Sequence, residues 1–317
     1  MEIMDLPPAD KALEWPTLGL AGVIYAMWFS STYFYADIPL WALALIGAWT
    51  VAWQMSLQHE IIHGHPTRTR WINHLIAQWP LALWLPFESY LHSHLAHHND
   101  ERLTDPLDDP ESFYWLPEQW AAIGRLGRAL VRAQSRLVGR LVLGPAWTMI
   151  RFWRFEIAAL IANRGAARRR VGAHIAQALA VLVWVLGICR MPLAIYILCY
   201  VYCGTAMALL RSFAEHRAES QVERRTAIVE NAWILGPLFL FNNLHVAHHM
   251  RRNLAWYRLP AWYRANRDAL VEINGGLVYD SYFDVVRRYF WRSHDQPLHP
   301  REIRSGPSVV EAPTPTS

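Results

Sequence analysis

The sequence predicts an all-α integral membrane protein, with about four transmembrane helices in two hairpins and a cytoplasmic helical cap that carries three histidine clusters. Three observations lead there. Four apolar stretches reach the about 20 residues that a bilayer crossing needs. The chain is 53% hydrophobic and 18% charged, against about 25% charged in an average soluble domain. The histidines, finally, fall at helical spacing beside those stretches. Seventeen tryptophans suit the interfacial belts of such a protein.

The expected spans are residues 15–36, 38–57, 171–189 and 191–210. A turn around Asp37 separates the first pair, and Arg190 with Pro192 separates the second, so each pair reads as a tight hairpin that returns the chain to its starting side. That side holds Arg68, Arg70, Arg102, the arginines between 125 and 140, Arg168, Arg169, Arg170, Arg217, Arg224 and Arg225. By the positive-inside tendency it is cytoplasmic. Three further apolar stretches, 75–85, 141–162 and 232–241, are short or interrupted by Arg151, Arg154 and Glu156, and read as interfacial or re-entrant helices. One membrane domain is expected over 1–304, with a disordered tail over 305–317. Asp5 and Asp10 stand where a secretory signal would be basic, so the apolar segments are expected to stay in the mature protein. A net charge of +4 is too small to suggest nucleic-acid binding. Cys189, Cys199 and Cys203 lie in apolar runs without CxxC partners and read as small hydrophobes.

The histidine clusters are His59-Glu60-Ile61-Ile62-His63, His94-Leu95-Ala96-His97-His98 and His245-Val246-Ala247-His248-His249. Positions i, i+3 and i+4 of a helix share a face, so each cluster points its imidazoles one way, and the predicted topology puts all three on one side of the membrane. Imidazole suits iron, copper, nickel and zinc. Eight such ligands exceed the shell of one first-row metal and argue for two. His65 follows Gly64 and precedes Pro66, off the face of His59 and His63, and His92 points away from His94. Both are left outside the site, and His74, His174, His294 and His299 are given no metal role.

Over about 57–260 the chain resembles the membrane fatty acid desaturase superfamily, whose HxxxH, HxxHH, HxxHH series it repeats in order. Asn242-Asn243-Leu244 ahead of the third cluster and Trp256-Tyr257-Arg258-Leu259-Pro260 after it look like bacterial hydrocarbon-oxygenase-like members. The resemblance implies a non-haem centre of two Fe ions that activates O2 as co-substrate and attacks an unactivated C–H bond. It also implies a ninth ligand: a lone histidine after the fourth span joins the site in the acyl-CoA desaturases, and His216 occupies that place. Eight imidazoles would divide four and four, and a ninth would make the pair unequal. Ser212, one turn earlier, stands where those desaturases use asparagine to hold a metal-bound water.

Metal-bound imidazoles usually donate their second N–H to a carboxylate or carbonyl. Glu60, Asp105, Ser212, Glu215 and Asn242 are the candidates for such outer contacts, with Asp105 equally able to organise a turn. The expected function is desaturation of a fatty acyl chain. Alternatives are a hydroxylating or O-demethylating oxygenase of the hydrocarbon or rhizopine type, or a terminal-alkene-forming decarboxylase. His59-Glu60-Ile61-Ile62-His63 also matches the zinc-protease HExxH, a reading that leaves both HxxHH clusters unexplained. Electrons are expected from an external ferredoxin, rubredoxin or cytochrome. The expected location is a bacterial inner membrane with the site on the cytoplasmic side.

Overall fold

The computed structural model describes residues 3–4, 13–98, 100–162 and 164–300. The predicted tail over 305–317 lies outside the described residues. Helices α1 (Trp15–Tyr33) and α2 (Leu40–Ile62) form the first hairpin, closed by a short turn over Tyr35–Asp37. The second consists of α8 (Gly165–Ile188) and α9 (Leu193–Glu215), α8 ending in a π-helical stretch over Val183–Ile188 and α9 passing through one over Ile197–Tyr202. By length and apolarity α2, α8 and α9 can each cross a membrane. The predicted first span, α1, is a 19-residue apolar helix packed against α2.

Helices α2 and α9 approach closely because glycine faces backbone and side chain at two levels. A Cβ at Gly47 would lie 2.5 Å from the Cys199 carbonyl oxygen, and one at Gly204 would lie 2.4 Å from Val51 Cβ. Any larger residue would force these helices apart, and small residues are what permits such contact in lipid, where no hydrophobic drive pushes helices together. Both helices run beyond their predicted ends, α2 to Ile62 and α9 to Glu215, which carries the chain from the apolar core directly into the histidine cap.

The three interrupted apolar stretches take different forms. Residues 141–161 belong to α7 (Leu137–Ile161), a 25-residue helix containing Pro145 and packed along α9. Residues 232–241 contain the single turn α10 (Leu235–Leu238), beside which Trp53 of α2 donates to the Pro237 carbonyl at 3.1 Å. The first stretch is the most informative. After α3 (Arg70–Ala77) the chain continues without regular structure to Pro86, yet Ala77, Leu81 and Ala82 are buried in the apolar core. Backbone that leaves its own helix inside such a core must find other partners. It finds them on the helices around it. Gln58 and Gln54 donate to the carbonyls of Ala77 (2.8 Å) and Trp79 (2.9 Å), Tyr196 to Leu81 (2.7 Å), and Tyr25 to Ile76. His174 Nε2 lies 2.9 Å from the Leu83 carbonyl, accounting for a histidine given no metal role.

This clamped segment leads straight into α4 (Phe87–His97), which carries the second cluster. The cap is completed by α5 (Pro117–Ala122), α6 (Arg125–Gln134), α11 (His245–Met250), α12 (Leu259–Ile273), α13 (Tyr282–Tyr289) and a two-stranded parallel pairing of β1 (Ile228–Val229) with β2 (Val278–Tyr279).

Candidate metal centre

The nine histidines converge as two groups, one of His59, His63, His94, His98 and His248, the other of His97, His216, His245 and His249. Within each group the ligand atoms lie within 4.8 Å of one another. Helical geometry explains the division. From position i, residue i+4 is displaced about 40° around the axis and residue i+3 about 60° the opposite way. On α4, His94 and His98 therefore face one group and His97 the other. On α11 the roles are exchanged, with His245 and His249 in the four-membered group and His248 in the five-membered one. The pair at the end of α2 completes the five. His216, extended at φ −129° and ψ 144° as the residue that ends α9, completes the four.

Seven of the rings are buried, and His216 and His249 are half-buried. Neighbouring Nε2 atoms are separated by 3.1 Å (His63–His94), 3.0 Å (His94–His98), 3.1 Å (His98–His248), 3.0 Å (His97–His216), 2.8 Å (His216–His245) and 3.2 Å (His245–His249). Two nitrogens bound at right angles to one metal at about 2.1 Å lie about 3.0 Å apart, so these separations match the edges of a metal's coordination shell.

In four rings the contacts of the opposite nitrogen fix the tautomer of the neutral imidazole. His97 Nδ1 is 3.0 and 3.1 Å from the two Asp109 oxygens, and His94 Nδ1 is 3.1 Å from Glu111 Oε1. His216 Nδ1 is 3.2 Å from the Arg225 carbonyl, and His245 Nδ1 is 3.3 Å from the Asn242 carbonyl and 3.4 Å from Glu215 Oε1. Each acceptor holds the N–H on Nδ1 and leaves Nε2 bare. In the neutral state the Nε2 lone pairs of His97, His216 and His245 would then face one another with no hydrogen between them. A cation resolves that conflict, and the donor set fits a metal that accepts imidazole.

Electrostatics agree. Burial, followed by charge on neighbouring rings, holds His94, His245, His248 and His249 well below the ordinary histidine range and brings His216 down to about 3. Those rings stay neutral, as ligands must. His97 differs. Burial works against its charge, but Glu111 and Asp109 prevail and raise it to about 9.

The candidates for outer contacts have separate fates. Glu215 Oε1 accepts from Asn242 Nδ2 at 3.0 Å, pairs with Arg211 at 3.0 Å and approaches His245, while Asn242 Nδ2 also lies 3.5 Å from His59 Nε2. Asp105 Oδ1 accepts from the backbone of Leu107 and Asp108 and shapes the turn that presents Asp109. The Ser212 hydroxyl is 3.4 Å from the Leu209 carbonyl of its own helix. Glu60 joins a separate buried group with Glu14 and His65, accepting from the Trp256 backbone at 2.9 Å. Because Glu60 is committed there, it is not the free general base that a zinc protease needs. Glu111 was missed by sequence reasoning. Its only signal is the acidic run after the second cluster.

Fold and site together define a helical membrane protein whose cap gathers histidines into two candidate metal positions. The fatty acid desaturase family model matches residues 37–282, and the chain belongs to that family. Comparison with curated proteins yields no match. Family membership makes the chain an oxidoreductase of the fatty acid desaturase type, with a metal site consistent with iron.

Proposed function

We propose that the chain is a membrane-bound diiron oxidoreductase that uses O2 and external electrons to oxidise an unactivated C–H bond, desaturating a fatty acyl chain. The observation that carries this reading is the division of nine converging histidines into neighbouring groups of five and four within a fatty acid desaturase family chain. Two irons held there would supply reductive activation of O2 and the oxidising power to break a C–H bond. The protein's own contribution is positional. Asp109, Glu111, Glu215 and the Arg225 carbonyl hold the rings in one tautomer, and burial of the cap limits access of bulk water to the reacting centre.

Electrons are expected from a separate protein of ferredoxin, rubredoxin or cytochrome type, since the three cysteines within or beside the apolar helices are too few for a four-cysteine iron–sulfur cluster. The arginine-rich cap is the expected docking face, with salt-sensitive rates. We place the site on the cytoplasmic side of a bacterial inner membrane. A cysteine replacing Asp37 should then label from outside, and one replacing Arg102 should not.

The deciding experiment compares lipid extracts of cells with and without the protein, together with the iron content of purified protein. A new double bond, two irons per chain and O2-dependent turnover are expected. A hydroxylated, demethylated or terminal-alkene product would assign the alternative chemistry to the same centre. One zinc and no iron would overturn the proposal.

A further inference from the structure

Glu14, Glu60 and His65 form a second buried donor set, which shares no ligand with the nine-histidine centre. Each is at most 7% exposed. Glu14 stands directly before α1, Glu60 lies in the last turn of α2, and His65 belongs to the loop that leaves α2. The backbone holds these pieces together: Glu14 N donates to the Pro66 carbonyl at 3.1 Å, and Leu13 forms a backbone bridge with Thr67. The loop after the third histidine cluster closes the set, with Trp256 N donating to Glu60 Oε1 at 2.9 Å and Trp256 Nε1 to the Thr17 hydroxyl at 3.1 Å. Inside it, His65 Nδ1 is 2.7 Å from Glu14 Oε1 and His65 Nε2 is 3.7 Å from Glu60 Oε1. One ligand atom from each of the three lies within 4.8 Å of the others.

Two carboxylates are thus buried against one imidazole. The hydrogen bonds that Glu14 accepts from the Thr17 hydroxyl (3.3 Å) and Glu60 from the Trp256 amide come from neutral donors. A buried charge is costly unless an opposite charge meets it. A protonated His65 balances one carboxylate and leaves the second, whereas a divalent cation on a neutral imidazole balances both. We propose that Glu14, Glu60 and His65 hold one divalent transition-metal cation, separate from the nine-histidine centre. One imidazole nitrogen with two carboxylate oxygens suits iron(II), manganese(II) or zinc, and the positions left by three protein ligands go to water. With ligand bonds of about 2.1 Å, neighbouring donors on one metal stand about 3.0–3.4 Å apart, so small side-chain adjustments bring the three onto a single ion. The cation would pin the start of α1 and the loop after the third cluster to the end of α2, which carries His59 and His63. The inference stands whatever the nine-histidine centre holds.

The test uses full-length protein in neutral detergent, stripped by a chelator and reloaded with cobalt(II) alone, so that binding is read without iron, O2 or turnover. Elemental analysis after desalting should find one cobalt fewer per chain in Glu14→Gln than in the wild type. Failure of the nine-histidine centre to load changes both totals and leaves that difference intact, so the two readings fail separately. A second variant reports on the site directly. In His65→Cys the new thiolate should give a sulfur-to-cobalt charge-transfer band that the wild type, with its three cysteines in or beside the apolar helices, does not show. The band decides the matter should Glu14→Gln not fold. Equal cobalt in the wild type and folded Glu14→Gln, or a folded and cobalt-loaded His65→Cys without the band, overturns the proposal and leaves His65 as a protonated bridge between the two carboxylates.

Discussion

The two histidine groups are built differently although they share two of their helices. The five-membered group draws on the ends of α2, α4 and α11, and every member sits on a helix or caps one within a repeat of three or four residues. The four-membered group takes three rings from α4 and α11 and depends for its fourth on His216, a lone extended residue pinned by the Arg225 carbonyl. Without His216 the division would be five and three, not the even four and four that eight ligands suggest. The difference teaches that one group has a ligand to spare and the other has none.

That contrast is broken most directly by single substitutions. His216→Ala leaves three imidazoles in the smaller group, whereas His63→Ala leaves four in the larger. If the centre holds the two irons proposed, His216→Ala should lose about one of them and turnover should fall at least a hundredfold while the protein still inserts. His63→Ala should keep most of its iron. Equal occupancy in the two variants, measured by elemental analysis, would show that the groups are equivalent.

The next largest effect lies in the outer contacts. Asp109→Asn, at the buried partner of His97, should weaken metal binding by about 10–100-fold. Glu111→Gln, at the partly exposed partner of His94, should weaken it less. A competition titration against a chelator ranks the two, and the reverse order would mean that the five-membered group controls retention.

Proton release sharpens the same comparison. In the metal-free protein only His97, among the rings with a resolved direction, is pushed upward, to about 9, so at pH 7 it carries a proton that metal must displace. Loading should release about one proton per chain, and affinity should fall about tenfold per pH unit below about 9. The linkage to stability has the matching sign. The His97 contribution to the apo protein is complete below about 6.5, the unfolded value, and is lost as pH rises through about 9. Calorimetry in buffers of different ionisation enthalpy reads the release, and Asp109→Asn should remove most of it.

The smallest expected effect is remote from the ligands. Gln58→Leu would leave the Ala77 carbonyl without its side-chain donor, costing about 1–3 kcal/mol in thermal unfolding. It should reduce turnover less than His63→Ala does. A larger loss of activity would show that the clamped segment sets the position of α4.

Much of this centre was legible in the residues. Spacings of three and four are local periodicities, so His94, His97 and His98 had to share one helix face wherever that helix came to rest, and the apolar stretches predicted α2 and α9, whose ends carry the first cluster and His216. His216 became a candidate through resemblance, not through spacing, because a lone histidine has no periodicity to mark it. The assignment of each ring to a group was not legible. Residues i+3 and i+4 diverge by about 100°, and which one meets which partner depends on how α4 and α11, about 150 residues apart, are set against α2 and the end of α9. The same holds for Glu111, for Glu60 turning to Glu14 and His65, and for the clamped backbone after α3. Each partner is distant in sequence, and only the packed helices decide which donor meets which acceptor.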